Sequence, residues 1–70
     1  MPMVPNTMRV GKKYRLINYG HSTEFVVLET LEEDNFKIKD INLLEEMEFI
    51  DLIRYGKGKD YELMEYEKSY

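Results

Sequence analysis

Residues 24–41 read Glu24-Phe25-Val26-Val27-Leu28-Glu29-Thr30-Leu31-Glu32-Glu33-Asp34-Asn35-Phe36-Lys37-Ile38-Lys39-Asp40-Ile41. Two segments of strand chemistry, Glu24–Glu32 and Phe36–Ile41, flank the polar knot Glu33-Asp34-Asn35. Val, Phe, Ile, Thr and Leu recur there in near-alternation with charge, as they do in half-buried strands. A few turn-forming residues between two such runs predict a β-hairpin. The hairpin sets the class: an all-β, mainly antiparallel domain.

Working outward, Lys12–Tyr19 reads as the first strand, with Tyr14 and Leu16 on one face and Arg15, Ile17 and Tyr19 on the other. Gly20-His21-Ser22 reads as a compact turn, because Gly accepts the positive φ that such turns need. The second strand, Glu24–Glu32, places Phe25, Val27, Glu29 and Leu31 on one face and Val26, Leu28 and Thr30 on the other. Apolar groups on both faces of its first half predict a strand covered on both sides or bent between two packing surfaces. The third strand, Asn35–Ile41, points Phe36 and Ile38 inward and Lys37 and Lys39 outward.

Residues 40–56 admit two readings. Asn42 with Glu45, closed by Gly56, fits a helix. Its apolar positions do not collect on one helical face: Leu43, Met47 and Ile50 group together, whereas Phe49 and Leu52 fall opposite. A split reading fits better. Glu45–Phe49 forms a fourth strand with Met47 and Phe49 inward. Asp51 then caps one helical turn, Leu52–Tyr55, which Gly56 ends. Lys57-Gly58-Lys59-Asp60 is a loop, and Tyr61–Tyr66 is the last strand.

This order, four strands, one helical turn and a fifth strand, resembles the Src-homology-3-like small barrels, which include Tudor-like domains. The resemblance covers residues 9–66 and is architectural. It implies a five-stranded small barrel with one short helical turn before the last strand. The peptide-binding members carry an Ala-Leu-Tyr-type motif and a Trp pair. This chain has Lys13-Tyr14-Arg15-Leu16 and no Trp, which separates it from proline-rich peptide recognition. Residues 1–8, with two prolines and no periodicity, read as a disordered tail, and Met1, Met3 and Met8 are each candidate starts. Residues 67–70 read as a frayed end.

Composition excludes several chemistries. Seventy residues make one domain, and with no Cys there is no disulfide and no thiolate metal site. The longest apolar run, Phe25-Val26-Val27-Leu28, falls far short of the ~20 residues of a membrane span and of the ~7–15 of a secretory signal. The expectation is a soluble cytoplasmic protein with no membrane partner and no cofactor. The net charge of −4 is segmented: Arg9, Lys12, Lys13 and Arg15 stand without an acid in residues 1–22, while Glu24, Glu29, Glu32, Glu33 and Asp34 fill residues 23–34. An acidic balance disfavours unspecific polyanion binding but leaves room for a local basic patch.

No catalytic set is legible. His21 is the only histidine, and its neighbour Ser22 lacks the orienting group and oxyanion donors of a nucleophile–base pair. Glu32-Glu33-Asp34 and Glu45-Glu46-Glu48 read as solvated faces and lack calcium-loop spacing. Gly56-Lys57-Gly58-Lys59 lacks the spacing and following helix of a phosphate loop. Tyr14, Tyr19, Tyr55 and Tyr61 fall at strand ends and loop borders, and Arg15, Arg54, Lys57 and Lys59 would rim them. Tyr offers contact area at low entropic cost. These eight residues form the candidate binding surface, weighed against tyrosines that only close the barrel. The function expected is a non-enzymatic protein-interaction or regulatory module with a protein partner. Nucleic acid, bound by the basic first strand and the Arg54–Lys59 loop, is the alternative, and self-association through an open edge strand is a further option.

Overall fold

The computed structural model describes residues 4–66. Pro5–Thr7 form one 3-10 turn. Strands β1 (Lys13–Asn18), β2 (His21–Glu32), β3 (Asn35–Asp40), β4 (Glu46–Glu48) and β5 (Glu62–Glu65) follow, with helix α1 (Phe49–Leu52) between β4 and β5. All pairings are antiparallel, and the sheet order is β4-β3-β2-β1-β5. Among the described residues no ladder joins β4 to β5, so the curled sheet keeps two edges.

Alternation explains the core. Tyr14 and Leu16 of β1, Phe25 and Val27 of β2, Phe36 and Ile38 of β3, and Leu63 of β5 all point inward and are buried, together with Met8 and Phe49. Phe49 sits at the centre. Its ring centroid lies 5.9 Å from Phe25 and 6.5 Å from Phe36, the latter in an edge-on arrangement, a geometry that aromatic quadrupoles favour.

Several expected boundaries move. The first turn is Tyr19-Gly20, with Asn18 opposite His21, so His21 and Ser22 belong to β2. Both turn residues have positive φ, 51° and 76°, as a two-residue type I′ hairpin requires. The alternation of β2 fails beyond Val27, where register shifts flank Leu28 and Leu31. Glu29 and Leu31 therefore do not continue the buried row of Phe25 and Val27, and both are exposed. Bulges break period-two burial in this way.

The expected turn at Leu52–Tyr55 starts earlier, at Phe49, which begins α1 instead of ending β4. Glu48 occupies the N-cap, and Asp51 lies inside the first turn with its Oδ2 accepting the Glu48 amide at 3.2 Å. Burial of Phe49 decides this: closing the helix at once drives its ring into the core. Met8 is 6 % exposed and packs with the core, so the domain reaches back past residue 9 to take in Met8, a residue of the stretch read as a tail. Met1, Met3 and residues 67–70 lie outside the described residues.

Candidate functional site

Asn18 takes the last inward position of β1, where alternation dictates an apolar side chain but the sequence supplies an amide. A buried amide needs partners. Asn18 Nδ2 donates to Gly56 O at 3.0 Å and to Leu52 O at 3.4 Å, while its Oδ1 accepts the Gly58 amide at 2.7 Å. One side chain thus fastens the end of α1 and the following loop to the β1–β2 hairpin.

The hairpin turn reinforces that link. Asp60 accepts the amides of Tyr19 at 2.8 Å and Gly20 at 2.7 Å. These bonds, Gly20 first, hold its carboxyl below the ordinary carboxylate value. The Tyr19 hydroxyl donates to the Tyr55 carbonyl at 2.9 Å. The Tyr19 ring lies so close over Gly58 that a Cβ there would meet its Cδ1 at 3.0 Å.

Between hairpin and helix runs a groove of about 590 Å³. Leu16, Tyr19, His21 and Thr23 line one wall, and Leu52 and Tyr55 line the other, with Asn18 and Asp51 also on its surface. Tyr19 and Tyr55 are 54 % and 85 % exposed, so two aromatic faces stand open beside an apolar floor. The Asp51 carboxylate is engaged by Arg54 at 2.6 Å. That bond, then the Glu48 amide, lowers its pKa.

The eight candidate residues separate. Tyr14 is 1 % exposed and its hydroxyl accepts the Arg9 amide at 2.8 Å; it belongs to the core and leaves the binding surface. Tyr19 and Tyr55 come together in the groove. Arg15 donates to Glu24 at 3.0 Å and lies 5.0 Å from the centre of the Tyr66 ring. Arg54 is bound to Asp51. Lys57 covers the Tyr61 ring at 4.8 Å, and Lys59 lines a shallow depression of about 480 Å³ with Ile17, Asp60, Tyr61 and Glu62. Burial raises the pKa of the Tyr61 phenol. The sequence reading did not single out Asn18, Asp60, Thr23 or Leu52. Asn18 alone had a local signal, a polar residue at an inward parity position.

The chemical alternatives also acquire geometry. Neighbouring strand residues face opposite sides, and the Ser22 hydroxyl donates to Glu24 at 3.0 Å instead of to His21. In the Gly56–Lys59 loop, the Gly58 amide is taken by Asn18 and the Gly56 amide by Ile53 O at 2.9 Å. Neither is free to cradle a phosphate. Among the described residues no cluster of three or more His, Asp or Glu has metal-binding geometry. No helix among them is long and apolar enough to cross a membrane. No family model matches the chain, and neither a curated protein nor a solved structure matches it.

Proposed function

We propose that this chain is a non-enzymatic protein-interaction module that seats a short partner segment in the Tyr19–Tyr55 groove. The observation that carries the proposal is Tyr19 itself. Its backbone lies in the left-handed region at φ 51°, where Asn or Gly is the usual occupant of a type I′ turn. A side chain with a Cβ costs about 1–2 kcal/mol in that conformation. Strain of this kind collects at binding sites, and here it displays an aromatic ring beside a second one. The strand order and the helical turn between β4 and β5 support the Src-homology-3-like reading of the scaffold.

A protein partner ranks ahead of nucleic acid because the net charge is −4 and four of the basic groups are held in ion pairs. Lys12, Arg15, Lys37 and Arg54 lie within 4 Å of Glu65, Glu24, Glu46 and Asp51. Nucleic-acid affinity would need such groups free for phosphates. The proposal includes a cytoplasmic setting, supported by the absence of Cys.

A displayed library of short peptides, selected on the purified chain, tests the reading. Binders are expected to lose at least about tenfold in affinity to Tyr55→Ala and to Tyr19→Asn, as ring-stacking contacts do. Tyr19→Asn suits the backbone of the turn but also removes the bond to Tyr55 O, so Tyr19→Phe, which loses that bond and keeps the ring, is expected to retain binding. Failure to select any binder, or binders indifferent to both changes, would overturn the assignment.

A further inference from the structure

We propose that the unpaired edge of β2 from Leu28 to Glu32 accepts a basic, extended segment of a partner protein as an added strand. This site is separate from the Tyr19–Tyr55 groove and stands whether or not that groove binds anything. The argument starts from the unequal lengths of the strands. On one side β2 is paired with β3 as far as Glu32, opposite Asn35. On the other side its pairing with β1 ends at Val26, opposite Lys13. Two last backbone bonds follow, from the Val27 amide to Lys12 O at 3.0 Å and from the Gly11 amide to Val27 O at 2.8 Å. The chain then turns away, with the Lys12 amide bonded to Arg9 O.

Beyond Val27, no strand lies against that side of β2 among the described residues. Leu28, Glu29, Thr30, Leu31 and Glu32 are all exposed. With its two register shifts the arm matches only three residues of β3, Lys37, Phe36 and Asn35, so it offers about 10 Å of edge, enough for a segment of three or four paired residues. Unpaired edges of this kind are templates for strand addition, with main-chain bonds supplying affinity and side chains supplying selectivity.

Charge selects the occupant. Glu29, Glu32, Glu33 and Asp34 crowd this arm, and none makes an ion pair with a Lys or Arg among the described residues. The chain itself shows what β2 accepts as a neighbour: β1 carries Lys13 and Arg15, and Arg15, directly opposite Glu24, bonds to it at 3.0 Å. A segment alternating Lys or Arg with apolar residues would set cations against Glu29 and Glu32 and apolar groups beside Leu28 and Leu31. A second copy of this edge would instead bring a second set of Glu29, Glu32, Glu33 and Asp34 beside the first, and like charges destabilise strand pairing. The register shifts at Leu28 and Leu31 further discourage unselected pairing.

The probe is a capped octapeptide alternating Lys and Val, titrated into the isotope-labelled full chain by NMR. Amide shifts and slowed hydrogen exchange are expected at Leu28–Glu32, with Tyr19 and Tyr55 undisturbed. The same peptide N-methylated at two adjacent central residues loses a donor on each edge while keeping its charge. It should bind about fivefold more weakly, since the one main-chain bond lost on the edge that faces β2 removes on the order of 1 kcal/mol. The Glu29→Gln, Glu32→Gln double variant should weaken the unmodified peptide similarly. Equal binding of the methylated peptide would reduce the contact to diffuse electrostatics and overturn the proposal. So would shifts that map elsewhere, or a dimer formed through this edge without peptide.

Discussion

The Gly58 amide donates to Asn18 Oδ1 at 2.7 Å across forty residues of sequence. With the bonds from Asn18 Nδ2 to Gly56 O and Leu52 O, this contact positions the loop that carries Tyr55. The groove therefore depends on one largely buried amide at its own lining. Asn18→Ala removes the partner of one backbone donor, the Gly58 amide, and of two backbone acceptors, Gly56 O and Leu52 O, at about 1–3 kcal/mol for each group left unpaired. A urea melt should show a loss of about 2 kcal/mol or more, and a loss under about 0.5 kcal/mol would remove Asn18 from this role.

Gly58 lies against the Tyr19 ring. A methyl group there would meet the ring at 3.0 Å and the Asp60 carboxylate oxygen at 3.1 Å. Gly58→Ala is expected to destabilise the fold by about 1–3 kcal/mol, in the range of overpacking, and to shift the Tyr19 ring resonances. A variant as stable as the parent with unmoved Tyr19 signals would contradict the close approach.

Phe49 touches both Phe25 and Phe36 and is fully buried. Phe→Ala changes in cores cost about 3–5 kcal/mol, whereas a chain of this length is stable by roughly 4–10 kcal/mol. Phe49→Ala should be largely or marginally unfolded at room temperature by circular dichroism. Ile50, 46 % exposed beside it, supplies the control: Ile50→Ala should stay within about 1 kcal/mol of the parent.

The Tyr61 hydroxyl is buried with no hydrogen-bond partner among the described residues. Deleting an unpaired buried polar atom costs nothing in lost bonds. Tyr61→Phe should equal the parent or exceed it by up to about 1 kcal/mol in chemical denaturation. A clear loss of stability would mean that the hydroxyl is bonded after all.

Acid should weaken the fold through Glu24. The Asn42 amide foremost, then the Ser22 hydroxyl and the Arg15 guanidinium, hold its carboxyl below the ordinary value of 4.5. Asp51 and Asp60 are lowered from 3.8 for like reasons. The unfolded chain then binds protons more readily, so stability rises with pH across this window. The contribution is complete above the ordinary values and disappears as pH falls through the lowered ones. Urea midpoints should decline between about pH 5 and pH 3, and Glu24→Gln should flatten that slope. An unchanged slope in the variant would place the acid sensitivity elsewhere.

Much of the fold was written locally. Alternation placed Phe36 and Ile38 on the inner face and put Tyr14 on the same face as Leu16 without saying which face is buried, and the hairpin around Glu33-Asp34 needed only turn chemistry and two flanking strands. Such signals are legible because a strand's side chains alternate whatever it packs against. The helix was half legible: a single turn was expected, but its start at Phe49 follows from a core that the segment alone does not display.

The chain by itself determined an antiparallel β domain, a cysteine-free chemistry and an acidic arm after Val27. Tertiary structure alone decided which tyrosines remain at the surface. Tyr14 and Tyr19 both end near turns, yet one is 1 % exposed and the other 54 %, because one meets Phe25 across the sheet and the other rests on a loop forty residues away. Packing partners of that sequence separation arise from how the strands curl together, and no local pattern encodes them.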